Sequence, residues 1–307
     1  MNSPSSSHAA APAVVCIGET MALVTPTDAD LSAGRTATIG LAGAESNVAI
    51  GLAGFGHTVA WASRLGDDPL GTRIATEVAQ RGVELWVERD AEAPTGIMFK
   101  DPGIASSAVY YYRRGSAASR MAPGHLSPAR LDGVRIVHTT GITPALSDSC
   151  SGMVTRLFAD ARAAGATVSF DVNDRRALWS EEEAAATLAR LADAADIAFV
   201  GRDEAERIWG TATPDEIRAH LPHCALLVVK DGEIGATAFS GSEEPVFVPA
   251  PVVEVVEPVG AGDAFASGFL AATLEGADLA GRLSAGHAAA ARVLRIAADI
   301  PPLEPAV

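Results

Sequence analysis

A chain of 307 residues, 48% of them hydrophobic, is long enough to bury a substantial core and too apolar to be disordered. Its formal charge of −15 argues against nucleic acid or an anionic membrane as partner, and no apolar run reaches the roughly 18 residues of a membrane span. Cys16, Cys150 and Cys224 are odd in number and scattered in apolar context; they offer neither a disulfide framework nor a metal knuckle, which suits a reducing cytoplasm.

Residues 1–12, rich in Ser and Pro at the start and without a basic region leading into an apolar one, read as a flexible tail. Val14 to Gly18 reads as a buried first strand, with Glu19 just beyond it. Residues 20–42 mix Gly, Thr and Pro with short apolar pieces and suit a small β excursion. Gly43 to Asn47 leads into a helix of small residues that ends at Gly54 and Gly56, so this helix packs closely on something. Asn47 is its polar residue, either a buried recognition group or an N-terminal capping or exposed Asn. A strand over Thr58 to Ala62, a helix to Gln80 and a strand from Val83 to Val87 begin an alternation that points to a parallel sheet covered by helices. Between about 90 and 125 the alternation breaks. Thr95 to Lys100 and Ala108 to Arg113 look like hairpin strands around a Pro-Gly loop, joining residues 20–42 in a small β lid.

The alternation then resumes, with strands expected at Val134 to His138, Thr167 to Phe170, Ile197 to Val200 and Leu226 to Lys230. Helices are expected at Asp148 to Ala164, at 181–194, from near Asp203 and from Thr213. Gly235 to Phe239 and Pro245 to Val248 suggest another hairpin, and an Ala-rich helix runs from about Leu279 to Ala297. No repeat or linker divides the chain, which predicts one α/β domain over residues 13–300, with a β lid formed by about 20–42 and 90–115.

The stretch from Glu257 to Leu270 carries the most specific chemistry. A β-like run of Val252, Val253, Val255 and Val256 precedes Gly260, Ala261 and Gly262, and a helical run follows. A strand, glycine turn and helix would expose the first N–H groups of the helix, where the dipole favours an anion. Asp263 would then stand at that positive end, able to take a proton from a hydroxyl while the backbone holds phosphoryl charge. The plainer reading makes Asp263 an ordinary first-turn acid. Ligands of open α/β sheets sit at the carboxyl ends of the strands, which collects Asn173, Arg175, Glu204, Lys230 and Asp263 along one edge. On a hairpin folded over that edge, Tyr111 and Arg113 share a face. Guanidinium groups there suit a carboxylate or phosphate, unless they are simply solvated on an acidic protein. There is no P-loop lysine motif, no protein-kinase HRD or DFG, and no metal-spaced histidine; His138 reads as a core residue.

Val259–Leu270 closely resembles the C-terminal signature of the ribokinase-like (PfkB) carbohydrate kinases. Gly43 to Gly56 resembles their N-terminal signature and Arg64 to Gly71 a third family segment, in matching order from about residue 13 to 298. Within the family the closest resemblance is to the 2-keto-3-deoxygluconate kinases. It is carried by Gly18 to Met21, by Tyr111 to Arg113 followed by Gly115 to Ser119, and by Asp171 to Arg175 followed by Leu178 and Trp179.

The resemblance implies a three-layer α/β/α sandwich with a mostly parallel central sheet and a small β lid, and ATP-dependent phosphorylation of a sugar hydroxyl. By position, Asp263 would be the base, with Gly260, Ala261 and Gly262 as anion hole. Gly43, Asn47, Tyr111, Arg113 and Arg175 match contacts to a sugar acid. Lys230, Gly232, Gly235, Gly260, Gly262 and His287 lie where ATP binds. Glu204 would reach Mg²⁺ through water, and a monovalent cation is a further candidate. The implied reaction is transfer to the 6-hydroxyl of 2-keto-3-deoxygluconate; the alternatives are a neutral sugar such as fructose, or a non-catalytic sugar-acid sensor. Pairing of lid strands between subunits implies a homodimer or higher homo-oligomer. The chain departs from the family pattern in having Gly201 where Asn is usual, Glu257 for a common Asp, Ala42 for a frequent Gly, and His287 where Asn often lies near the adenine.

Overall fold

Strand residues alternate between two apolar cores, one on each side of a central sheet. The computed structural model describes residues 11–101 and 108–296. The first half of the chain runs β1 (Val14–Ile17), β2 (Met21–Pro26), β3 (Ala37–Ala42), α1 (Ala44–Gly54), β4 (Val59–Gly66), α2 (Pro69–Gln80), β5 (Glu84–Asp90), β6 (Ile97–Asp101), β7 (Ala108–Tyr112) and β8 (Ile136–Thr140). There follow α3 (Ile142–Ala145), α4 (Asp148–Ala163), β9 (Thr167–Asp171), α5 (Glu181–Ala194), β10 (Ile197–Gly201), α6 (Arg202–Trp209) and α7 (Pro214–His220). The chain continues with β11 (Leu226–Asp231), β12 (Gly235–Ser240), β13 (Val246–Pro249), α8 (Ala261–Leu274) and α9 (Leu279–Val293).

The large sheet has nine strands in the order β13-β12-β11-β10-β9-β8-β1-β4-β5. From β11 to β5 every pairing is parallel; β12 and β13 add an antiparallel edge. In β1, Val15 and Ile17 join the core beneath α4 and α5, while Val14 and Cys16 face the core that α1, α2, α8 and α9 share. The same period of two splits Ala198 and Val200 from Ile197 and Phe199 in β10. Both faces are therefore apolar, as a parallel sheet between two helix layers requires. The α/β/α sandwich and mostly parallel sheet expected from the sequence are present. A separate four-stranded sheet, β3-β2-β6-β7, forms from the two segments expected to make the lid.

Helix starts follow local chemistry. Asp68 caps α2 by accepting the Gly71 N–H at 2.7 Å, and Ser180 and Thr213 open α5 and α7 with capping boxes. Asp68 also accepts the Thr95 N–H at 2.8 Å, so one carboxylate ties α2 to the entry of the small sheet. The three cysteines are buried and free, and His138 is a core residue whose Nδ1 meets Ser169 Oγ at 2.9 Å.

One expected element is overturned. No strand forms over Val252 to Val256; β13 stops at Pro249 and an irregular segment leads to Gly260. Pro249, Pro251 and Pro258 have no N–H to give a ladder, and the Val256 N–H donates instead to Leu294 O at 2.8 Å, beside the end of α9. The strands β4 and β5 run on to Gly66 and Asp90, past their expected ends. The first ten residues of the expected tail, the Pro-Gly turn at 102–103 and residues from 297 onward lie outside the described residues.

Candidate active site

The site forms where α8 begins. Gly260 has φ +82°, a left-handed conformation that glycine alone adopts without strain, and it sets the chain into the helix at Ala261. Ala264 N–H closes the first turn on Gly260 O at 2.9 Å. The amides before it are first-turn donors with the positive end of the helix behind them. Asp263 stands in that first turn.

Helix α1 brings the partner of Asp263. Its small residues let it lie against α8 so closely that a Cβ on Gly51 would stand 2.4 Å from Ser267 Oγ. Gly43 opens α1 pressed on β2's approach, where a Cβ would stand 2.5 Å from Glu19 O. One turn on, Asn47 Nδ2 donates to Asp263 Oδ2 at 2.9 Å, so Asn47 is a buried partner of Asp263 and not an N-terminal cap. Asn173 has φ +39°, outside the glycines the one described residue with positive φ, and points Nδ2 at Asp263 Oδ1 from 3.5 Å.

Three parallel strands deliver the charges. Asp171 ends β9, and Lys230 near the end of β11 places Nζ 2.7 Å from Asp171 Oδ2. Between them, β10 leads into α6, whose Glu204 accepts the Asp174 N–H with one oxygen and the Gly201 N–H, at 3.4 Å, with the other. Burial, then Asn47's opposing hydrogen bond, then repulsion by Asp171 leave the Asp263 pKa raised to about 7. Burial and Asp171 also raise Glu204. Burial alone would lower Lys230, but the Asp171 pair with help from Glu204 and Asp263 more than offsets it, so its ammonium is held above the ordinary range.

From the small sheet, Arg113 reaches down with Tyr111 5.8 Å from its guanidinium. Arg113 is not the free cation that its position in the sequence suggests. Its Nε donates to Glu19 Oε2 at 2.6 Å, and Ser116 Oγ donates to the other Glu19 oxygen at 2.5 Å. Lys100, also on the small sheet, pairs with Glu257 at 2.5 Å. Arg175 differs: it donates to the Asp174 carbonyl at 3.0 Å and makes no ion pair among the described residues.

Two cavities meet here. One, of about 400 Å³, is lined by Gly43, Asn47, Tyr111, Arg113, Arg175, Glu204, Gly260 and Asp263. The other, of about 760 Å³, is mostly apolar and takes in Gly232, Gly235, Ala261, Phe265 and His287. They share Lys230, Pro258 and Gly262. A Cβ on Gly262 would meet nothing nearer than Lys230 Nζ at 3.5 Å, so the shared wall is open for an extended ligand. His287 packs edge-on to Phe265 with centroids 5.2 Å apart, and Nε2 lies 3.1 Å from Val248 O; burial lowers its pKa, which keeps it neutral near pH 7.

Every site residue expected from the sequence lies on one cavity or the other. The sequence reading assigned no role to Glu19, Lys100, Asp171 or Glu257, whose partners stand 94, 157, 59 and 157 positions away. One signal was present: Lys100 and Lys230 are the two lysines of the chain, and both line the cleft.

A charged polar cavity and an apolar one joined at an anion-receptive helix end, with a carboxylate at the junction, form the layout of a phosphotransferase that acts on an alcohol. The chain belongs to the pfkB family of carbohydrate kinases, whose model matches residues 11–304. It is 34% identical to a 2-dehydro-3-deoxygluconokinase of Bacillus subtilis (strain 168) over 93% of this chain and 90% of that protein. It is 31% identical to a 2-dehydro-3-deoxygalactonokinase of Haloferax volcanii over 95% of this chain and 94% of that one. A PfkB protein from Polaromonas sp. JS666 shares the fold at TM-score 0.86 and 35% identity, with 93% of this chain and 96% of that chain covered.

Proposed function

We propose that this sugar kinase uses ATP to phosphorylate the 6-hydroxyl of 2-keto-3-deoxygluconate (2-dehydro-3-deoxygluconate). The observation that carries this choice is the charge state of the polar cavity. Lys100, Arg113 and Lys230 are each neutralised by a carboxylate, while Arg175 presents a guanidinium with no carboxylate at ion-pair distance among the described residues. A cleft arginine without a carboxylate suits a substrate that brings one. The name of the Bacillus subtilis relative supports the same reading.

In this reading Asp263, oriented by Asn47 and Asn173, takes the proton of the 6-hydroxyl as that oxygen forms its bond to the γ-phosphorus and ADP leaves. The amides at the start of α8 and the Lys230 ammonium hold the charge of the transferring group, which is where positioning and electrostatics supply most of the rate. Tyr111 and Arg113 complete the sugar side. The apolar walls around Phe265 and His287, with Gly232 and Gly235 at the rim, fit a purine nucleotide.

Among the described residues no group of three His, Cys, Asp or Glu side chains could hold a metal. That fits a Mg²⁺ ion brought in by the nucleotide, with Glu204 and the unpartnered Oδ1 of Asp171 acting through water. Bound there, Mg²⁺ would supply neutralisation of phosphate charge. Gly201 contributes no side chain to this arrangement; its N–H anchors Glu204 instead.

The test is turnover on a panel of sugars and sugar acids with ADP detection. Highest kcat/KM on 2-keto-3-deoxygluconate is expected, and Arg175→Ala should raise its KM about 10- to 100-fold with the ATP KM unchanged. Turnover on neutral ketoses alone would refute the acid assignment.

A further inference from the structure

We infer that Lys100 and Glu257 form a strut between the small sheet and the start of α8, which makes Lys100 a positioning residue for the nucleotide side of the reaction. The inference rests on the kinase reading above. Along β6, Met98 and Lys100 face inward while their neighbours are half-buried. A lysine pointed into a protein is costly unless a partner meets it. Here Nζ lies 2.5 Å from Glu257 Oε2, with side chains 10% and 15% exposed. The other Glu257 oxygen accepts the Val259 N–H at 3.2 Å. One carboxylate thus joins a side chain of the small sheet to the backbone that sets Gly260 in its left-handed conformation.

The segment that Glu257 belongs to has few other anchors. It forms no strand, Val255, Val256 and Val259 are exposed, and the backbone ties around Glu257 are the Val256 and Glu257 N–H groups on Leu294 O, at 2.8 and 3.4 Å, and the Ala261 N–H on Pro258 O at 3.3 Å. Pro258, next to Glu257, lines both cavities, whereas Lys100 lines the polar one alone. Loss of the Lys100 charge would leave Glu257 half-buried without its cation and loosen the turn that carries the first-turn amides. The nucleotide side would then weaken through a residue outside the nucleotide cavity.

Lys100→Met, Glu257→Gln, their double mutant and Lys100→Arg test this by hydrogen exchange of the amides of residues 259–262 in the free enzyme and by steady-state kinetics. Lys100→Met should speed exchange of those amides about 10-fold and raise the ATP KM about 10-fold. The double mutant should be no worse than either single one, and Lys100→Arg should recover most of the loss. Unchanged exchange, or a rise confined to the sugar KM, would overturn the strut and make Lys100 a substrate contact only. Exchange is read without substrate, so a failed sugar assignment does not disturb it. Should Lys100→Met not fold, Glu257→Gln carries the same expectation from the other end.

Discussion

At Asp263 two demands on one carboxyl conflict. As the proposed base it must be ionised, yet burial and Asp171 raise its pKa to about 7. An acid near neutrality is well matched to proton transfer, so kcat/KM should climb as pH rises through about 7 and level off above it, provided no other group intervenes. The folded pKa is higher than the unfolded value of about 3.9, so the folded state binds this proton more tightly. The resulting stability is fully present below the unfolded value and is lost as pH rises through about 7. Asp263→Asn cannot ionise. It should cost about 10³–10⁴ in kcat, and melt a few degrees above the wild type at pH 8 with the gap closing toward pH 4. Rate measurements and scanning calorimetry at both pH values decide this; a variant less stable than the wild type at pH 8 would contradict the raised carboxyl.

Among the elements, α8 depends on a conformation and α2 on a cap. Gly260→Ala puts a Cβ into the left-handed region at φ +82°, which costs about 1–2 kcal/mol. The larger effect should be on turnover, because the turn either strains or moves its amides; we expect kcat to fall at least tenfold, measured at saturating substrates. Asp68 serves two elements at once through the Gly71 and Thr95 N–H groups. Asp68→Ala removes the cap and leaves the Thr95 donor without its acceptor, together about 2 kcal/mol. A melting temperature lower by about 3 °C is expected by calorimetry, and a drop of under about 1 °C would rule out the double role. Within the motif from Arg64 to Gly71, Asp68 thus ties the start of α2 to the segment that enters the small sheet.

For the whole molecule, two cavities with a common wall predict that each ligand stabilises the fold on its own. A ligand at 100 times its Kd adds about 2.7 kcal/mol, a rise of roughly 5 °C for a chain of this size. A nucleotide and the sugar acid should each give such a shift in scanning fluorimetry, and Arg175→Ala should lose the sugar acid's shift and keep the nucleotide's. Loss of both shifts together would show that the cavities are one site with no separable halves. No helix among the described residues is long and apolar enough to cross a membrane.

What the sequence determined by itself was local or periodic. Two-residue alternation and capping residues placed nearly all strands and helices, and the glycine-aspartate turn with its family signature marked Asp263, Asn47 and the two ends of the cleft. These signals work because side-chain direction and cap geometry depend on near neighbours in the chain. The tertiary structure decided what depends on partners distant in sequence. It turned the valine run before Gly260 into an irregular cavity wall, because prolines and α9 took its hydrogen bonds. It neutralised Arg113 with Glu19 and Lys100 with Glu257, and left Arg175 in the cleft with no ion pair among the described residues. Charge pairing is a matter of distance and burial in space, and two residues 94 or 157 positions apart carry no mark of each other until the chain folds.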